Sequence, residues 1–306
     1  MTIGIAVHGP QAARAALAGL EAVEAVGRGA IGGFVSLSVI TPGRKLIDLG
    51  VQRGGAQAML AQPGMAQTDG ARLAVLMSSG PDRPEPLSQF TPCDPAAGLI
   101  TGHRLPNMPG PDGIVPNRQA LEALRAGATP EAAVQAAFAP RPQVDAGLIV
   151  MSLAGEIALG NSAAVAARDD IGAAHFVSET LSVGILHNTI FPHHALADLA
   201  LSAIRDRVAP ADAAPYQGQA LGLSVVPGAV HALLVEDDQI VGAEAVGPEW
   251  LRPDWEGCPV RRGDPVKTGG RVVGQVVAEA YCTLANGVVT GTRGSGTISW
   301  KRTDKT

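Results

Sequence analysis

The chain has 306 residues, 46% of them hydrophobic and 17% charged, with a formal net charge of −5. That length suits one large domain or two ordinary ones, and that composition buries a core rather than remaining disordered. No basic tract stands out, which argues against nucleic acid as a partner, and no uninterrupted apolar run of about 18–20 residues is present, so no membrane span is expected.

Thr2–Val7 reads as a short buried strand that stops at His8-Gly9-Pro10. Gln11 to Ala25 follows as a helix, with Ala13, Leu17, Leu20 and Val23 at helical spacing and Gly27 and Gly29 to end it. Ala30–Ile40, Leu46–Val51 and Arg72–Met77 are the next strands. Five prolines between Gly80 and Pro95 forbid regular structure, so a long surface loop, lid or insertion is expected there. Ala96–Gly102 returns to strand character. Two helices come next, Asn117–Ala126 and one that begins at the N-cap Thr129 with Pro130 in its first position and ends near Phe138.

Ala146–Leu153 and Glu156–Gly160 flank Ala154-Gly155 and form a hairpin. His175–Glu179 and Ser182–His187 make a strand pair or one bent strand. Pro192 opens a helix with Leu196, Leu199, Ala203 and Ile204 on one face. After Pro210 the texture turns β-rich: Gly222–Val226, Val230–Glu236, Gln239–Val246, Arg271–Ala280 and Val288–Trp300, with a loop from Pro248 to Gly270. A boundary is expected near 210–218, which gives a core over 1–210 and a β-rich portion or small domain over 211–306. Helices packed against layered sheets predict an α+β fold.

The glycines of Arg28-Gly29-Ala30-Ile31-Gly32-Gly33 follow a helix and precede a strand, the wrong order for a phosphate-binding turn, and no cofactor is expected. Cys93, Cys258 and Cys282 are widely spaced and odd in number, which predicts reduced thiols in a cytoplasmic protein. His175, Glu179, His187, His193 and His194 lie close together in the chain. They lack the H-E-x-x-H pattern, so a histidine-based metal hydrolase is only a third reading and no metal ligand is assigned. Trp250 and Trp255, with Arg252, Arg261 and Arg262, are candidate anchors of a homo-oligomer contact.

The chemistry is densest at three places. Met1 is followed by Thr2, a small residue that methionine removal would leave with a free α-amine beside its own hydroxyl. Such a pair makes a nucleophile with a built-in base, because an α-amine titrates at about 7.7–8.0. Thr101-Gly102-His103-Arg104-Leu105-Pro106-Asn107 leaves a strand and enters a loop with a hydroxyl, an imidazole, a guanidinium and an amide. Thr101, His103, Arg104 and Asn107 are therefore candidate substrate-binding residues, with Arg104 suited to a carboxylate, and Thr101 a second candidate nucleophile by internal cleavage after Ile100. His187, next to Asn188 at a strand end, is a further candidate pocket residue. Asn161, beside Ser162, could donate to an oxyanion or cap the following Ala-rich helix.

The paired helices from Asn117 to Ala133, the hairpin from Asp145 to Ala158 and the opening Gly4-Ile5-Ala6-Val7-His8-Gly9-Pro10 resemble N-terminal-nucleophile (Ntn) hydrolase-like proteins of an uncharacterised bacterial group. Thr2-Ile3-Gly4 is similar to the opening of the nucleophile strand of plant-type asparaginases. The resemblance spans residues 1–40 and 96–208. It implies an αββα sandwich of two antiparallel sheets between helix layers. It also implies hydrolysis of a small amide or peptide bond, with Thr2 as nucleophile and Asn161 assisting the oxyanion. One departure stands out: Ntn enzymes place a hairpin directly after the nucleophile strand, whereas a helix is predicted here. A non-catalytic binding or assembly protein on the same fold is the competing reading.

Overall fold

The computed structural model describes residues 1–208 and 215–302. The chain divides into two units, Met1–Ala209 and Pro210–Thr306. The start of the expected 210–218 boundary falls outside the described residues. The protein is a mixed α+β protein with a β-rich C-terminal portion.

The elements of the first unit run in order: β1 (Thr2–His8), α1 (Ala12–Val26), β2 (Val35–Ile40), β3 (Leu46–Val51), α2 (Gly55–Leu60), β4 (Leu73–Ser79), β5 (Cys93–Asp94), β6 (Gly98–Arg104), α3 (Pro116–Arg125), α4 (Pro130–Phe138), β7 (Ala146–Ser152), β8 (Ile157–Asn161), α5 (Ala163–Ala166), β9 (Ile171–Val177), β10 (Ser182–Asn188) and α6 (His193–Val208). One sheet has the order β3-β2-β4-β1-β10-β9, and the other β5-β6-β7-β8. Every pairing in both is antiparallel.

Strand alternation sorts the residues of β1 onto two faces. Ile3, Ile5 and Val7 join Leu17, Leu20 and Val23 of α1 and Ile204 of α6 in one core. Each such aliphatic side chain contributes about 1.5–3 kcal/mol when fully buried. Ala6, on the opposite face, meets Leu99, Ile149, Met151 and Ile157 of the second sheet. The far face of that sheet packs Ile100, Leu148 and Val150 against Leu121 and Leu124 of α3 and Val134 and Phe138 of α4. The layers are therefore helix, sheet, sheet, helix.

At the centre the two sheets touch backbone to backbone. A Cβ on Gly4 would lie 2.3 Å from the Gly102 carbonyl oxygen, so only glycine lets β1 approach β6 this closely. That approach brings the start of β1 against the end of β6.

The second unit comprises β11 (Tyr216–Gln219), β12 (Val225–Pro227), β13 (Ala232–Glu236), β14 (Gln239–Ala245), β15 (Trp255–Gly257), β16 (Pro265–Thr268), β17 (Arg271–Ala278), β18 (Cys282–Ala285), β19 (Val288–Thr292) and β20 (Thr297–Arg302). Seven strands form one sheet in the order β11-β20-β17-β16-β13-β14-β12, and β15-β18-β19 form another. Their core holds Leu233, Val235, Val266, Val276, Ile298 and Trp300.

Several expectations are corrected. The strand expected from Ala30 begins only at Val35, because Gly29 and Gly32 take left-handed backbone and turn the chain first. Helix α2 was not anticipated. The proline-rich stretch 80–95 is largely exposed over 81–86, as a surface loop would be, but it is not wholly irregular: it buries Leu87, Phe90 and Thr91 and contributes β5. Val288–Trp300 is two strands, split by a turn with left-handed Gly294 and Gly296. The Pro248–Gly270 loop contains β15 and β16. Trp250 is buried, donates its indole N–H to the Val246 carbonyl at 2.8 Å and packs on Trp255, so it belongs to the core of its own unit rather than to an exposed anchor.

Candidate functional site

Thr2 opens β1, the strand flanked by β4 and β10 in the first sheet. Its side chain points toward the second sheet, on the same face as Gly4 and Ala6. The Thr2 hydroxyl donates to Asn188 Oδ1 at 2.6 Å and accepts from the backbone N–H of Arg104. It is thereby held by the end of β10 on one side and the end of β6 on the other.

Asn188 passes the connection on. Its Nδ2 donates to Thr189 Oγ1 at 2.8 Å, and the Thr189 hydroxyl donates to Asp170 Oδ2 at 2.6 Å. Asp170 is clamped by two Arg168 bonds at 2.7 and 2.6 Å. The Arg168 guanidinium, helped by the Thr189 hydroxyl, holds the Asp170 carboxyl well below its ordinary range, at about 2. Because Thr189 spends its proton on Asp170, it must accept from Asn188. This fixes the Asn188 amide with its oxygen toward Thr2.

His103 is fully buried between the sheets. Its Nδ1 faces Asn188 Oδ1 at 3.3 Å and its Nε2 faces Asn161 Oδ1 at 2.7 Å. Burial pulls its pKa below the usual histidine value, against the pull of the two amides. A neutral ring has one N–H and cannot donate to two carbonyl oxygens. Asn188 is fixed by Thr189, so Nδ1–H belongs to it, and Asn161 must turn its NH₂ toward Nε2. Glycine makes the room: a Cβ on Gly147 would lie 2.2 Å from His103 Nε2 and 2.1 Å from Asn161 Oδ1.

Beside Thr2 lies a cavity of about 230 Å³, lined by Met1, Phe34, Met77, Arg83, Phe90, Arg104, Leu105, Asp145 and Asn188 as well as Thr2 itself. Arg104 pairs with Asp145 through Nε and through Nη2, the latter at 2.7 Å. The Met1 α-amine has a lowered pKa, first through burial and then through the positive charges of Arg104 and Arg83.

Two of the bonds are made by residues in left-handed backbone. Arg104 has φ 65° and Thr189 has φ 56°. A non-glycine residue at such a φ is uncommon, the β-branched Thr189 especially so, and strain of this kind concentrates at functional sites.

The predicted residues separate cleanly. Thr2, His103, Arg104 and Asn161 converge in one network. Thr101 does not join it: its hydroxyl donates to the Leu76 carbonyl at 2.7 Å and ties the sheets together, and the Ile100–Thr101 bond lies inside a paired strand, closed to cleavage. Asn107 donates to Gln89 Oε1 at 2.9 Å, so it steadies the proline-rich segment away from the cavity. His187 alternates with Asn188 and so faces the helix layer with Val183 and Ile185; burial holds it at about 4. Asn161 lines no part of the cavity and contacts His103 instead. Ser162 is the helix cap, accepting from the Val165 N–H at 3.2 Å.

Among the described residues, no group of three or more His, Cys, Asp or Glu is placed to hold a metal ion. His175, exposed on β9, and His187, buried on the opposite face of the same sheet, show why that histidine group does not converge.

Asp170, Asp145 and Arg83 were missed as site residues; Asn188, at the strand end beside His187, and Thr189 after it were not singled out. Asn188 and Thr189 follow directly on His187, and strand alternation decides between neighbours there. Asp145 precedes Ala146, the register partner of Arg104, so hairpin register could have found it. Arg83 had no sequence signal beyond its place among prolines.

Fold and site together define an α+β protein with a threonine-centred polar network at the meeting point of two sheets. Residues 2–217 match a domain of unknown function, DUF6963, and the chain belongs to that family. Residues 222–297 match a second domain of unknown function, DUF7259. No curated protein matches the chain.

Proposed function

We propose that the protein is an Ntn-type hydrolase with an αββα core, acting on a small amide bond, with Thr2 as nucleophile. The observation that carries this reading is the Thr2 hydroxyl itself, gripped by Asn188 and by the Arg104 N–H at the mouth of a cavity. Loss of Met1 frees the Thr2 amine. That amine takes the hydroxyl proton as Oγ1 attacks the amide carbonyl carbon. It returns the proton to the departing nitrogen, and water then cleaves the Thr2 ester. The Arg104 guanidinium, which lines the cavity, is the donor we assign to the oxyanion.

A non-catalytic binding protein is the second reading, and α1 favours it, since a helix follows β1 where Ntn enzymes have a hairpin. In either case three unpaired cysteines fit a cytoplasmic setting. No helix among the described residues is long and apolar enough to cross a membrane.

Intact mass of the protein from its native host tests the first requirement. A species lighter by one methionine is expected, and Thr2→Ala is expected to abolish hydrolysis of a panel of small amides. A wholly unprocessed chain, or turnover retained in Thr2→Ala, rejects Thr2 as nucleophile and leaves the binding protein.

A further inference from the structure

We propose that the cavity beside Thr2 takes a small substrate bearing a free carboxylate, and that Arg83 is the residue that binds it. The amide class of that substrate rests on the catalytic reading above; the carboxylate site does not.

Arg83 lines the cavity and is built into place. Gln52 grips its backbone from both sides, accepting from the Arg83 N–H at 2.9 Å and donating to the Arg83 carbonyl at 2.8 Å. Its Nη2 donates to Ser79 Oγ at 2.6 Å, and the guanidinium lies 6.0 Å from the centre of the Phe34 ring. Among the described residues no carboxylate pairs with it. The two acidic residues of its own loop are turned elsewhere: Asp82 pairs with Arg53 at 2.5 Å, and Glu85 accepts from Gln52 at 2.7 Å and from the Leu87 N–H at 3.0 Å. Arg104 is the contrast, spending two donors on Asp145.

The charges of the cavity therefore do not balance. Two guanidiniums and an α-amine face the single carboxylate of Asp145. A half-buried cation without a counter-ion is unfavourable, and an entering carboxylate relieves it while matching the planar fork of donors. Phe34, Met77, Phe90 and Leu105 offer the remaining substrate an apolar wall. The volume of about 230 Å³ falls below the ~300–1,000 Å³ typical of drug-sized ligand sites, which favours a small molecule.

The test uses phenylacetate and its neutral isostere phenylacetamide, titrated by NMR into full-length Thr2→Ala protein, in which the catalytic reading expects no turnover of the amide. Phenylacetate is expected to bind at least tenfold more tightly. Arg83→Met, with its melting temperature checked, should erase that preference by a factor of roughly ten to a hundred, as expected for a lost hydrogen bond to a charged group. Arg83→Lys should retain part of it and serves if the Met variant fails to fold. Equal affinity for the pair, binding of neither, or a preference that survives loss of the Arg83 charge overturns the proposal. Hydrolysis by the wild-type protein is scored separately. Acid preference without turnover retires the catalytic reading and leaves the carboxylate site standing.

Discussion

Gly4→Ala is the sharpest test of how the two sheets make the site. The new Cβ would meet Gly102 O at 2.3 Å, its carbonyl carbon at 2.8 Å and its Cα at 3.0 Å. All three are backbone atoms of β6, so no side chain can swing aside. An ordinary contact needs about 1 Å more, and β1 and β6 must part by that amount. Overpacking of this kind costs about 1–3 kcal/mol, and a backbone neighbour puts it near the upper end. Replacing glycine in a strand returns about 0.5–1 kcal/mol of conformational entropy. The net is about 2 kcal/mol, or a fall of about 4–8 °C in the melting temperature of a unit this size. The Thr2–Arg104 bond crosses the same interface, so any amide hydrolysis should drop further than stability alone predicts. Gly43→Ala is the control, since its nearest neighbour is 4.0 Å away and its φ is not positive; it should melt within about 1–2 °C of wild type. Thermal melts followed by circular dichroism decide the matter. If Gly4→Ala melts like Gly43→Ala, the close approach of the sheets is not what positions Thr2.

Three further outcomes follow from the same network. Thr2→Ala removes two hydrogen bonds and should lower stability by about 1–2 kcal/mol, while Thr2→Ser, which keeps both, should stay near wild type in a denaturant titration. Asp170 has a folded pKa of about 2, below the roughly 3.9 of an unfolded aspartate, so its stabilisation is complete above about pH 4 and is lost as pH falls toward 2. Asp170→Asn should lack that loss, and an unchanged acid slope in this window would contradict the Arg168–Asp170 clamp. His187 is held at about 4 by burial, and then by electrostatic repulsion from His103 and His193, against about 6.5 unfolded. Its contribution is complete above pH 6.5 and is lost as pH falls to 4. His187→Leu should flatten stability across that range, leaving only the same-signed slope from His103, whose pKa is also lowered by burial.

Periodicity made much of the first unit readable. The α1 stripe, the Thr129-Pro130 helix start and the glycine-turned hairpin all rest on local rules, and all lie within a few residues of the expected bounds. What was illegible depended on partners distant in sequence. Leu87 and Phe90 look like residues of a proline-broken loop until Phe34 and Met77 are there to cover them. Tryptophans suggested a surface anchor, yet Trp250 is buried in one core with Leu284 and Val289, more than thirty residues further along the chain. In the site, type of residue was legible and direction was not. His187 and Asn188 are equally plausible from the sequence, and the pairing of β10 with β1 turns one to the helices and the other to Thr2.

The strongest reason to treat the Thr2 network as functional is where its cost falls. Thr101 shows how this fold joins its sheets when nothing else is required: one hydroxyl on one backbone carbonyl, within a regular strand. The start of β1 is joined differently. Arg104 and Thr189, from different sheets, both adopt left-handed backbone and both end on the same hydroxyl–amide pair. Each such residue costs about 1–3 kcal/mol, more than the bonds they make return on average. Arg168 and Asp170 then lock Thr189 from behind, and neutral His103 holds Asn188 from the side. A purely structural tie would not need strain, a buried imidazole and a charge pair around one threonine. Preorganisation of a reacting or ligand-facing hydroxyl would, and that is the reading we propose. The α-amine of Thr2 then separates the two uses: if it is liberated beside Arg83 and Arg104, the hydroxyl has its base, and if it stays in a peptide bond, the same framework can only hold a ligand.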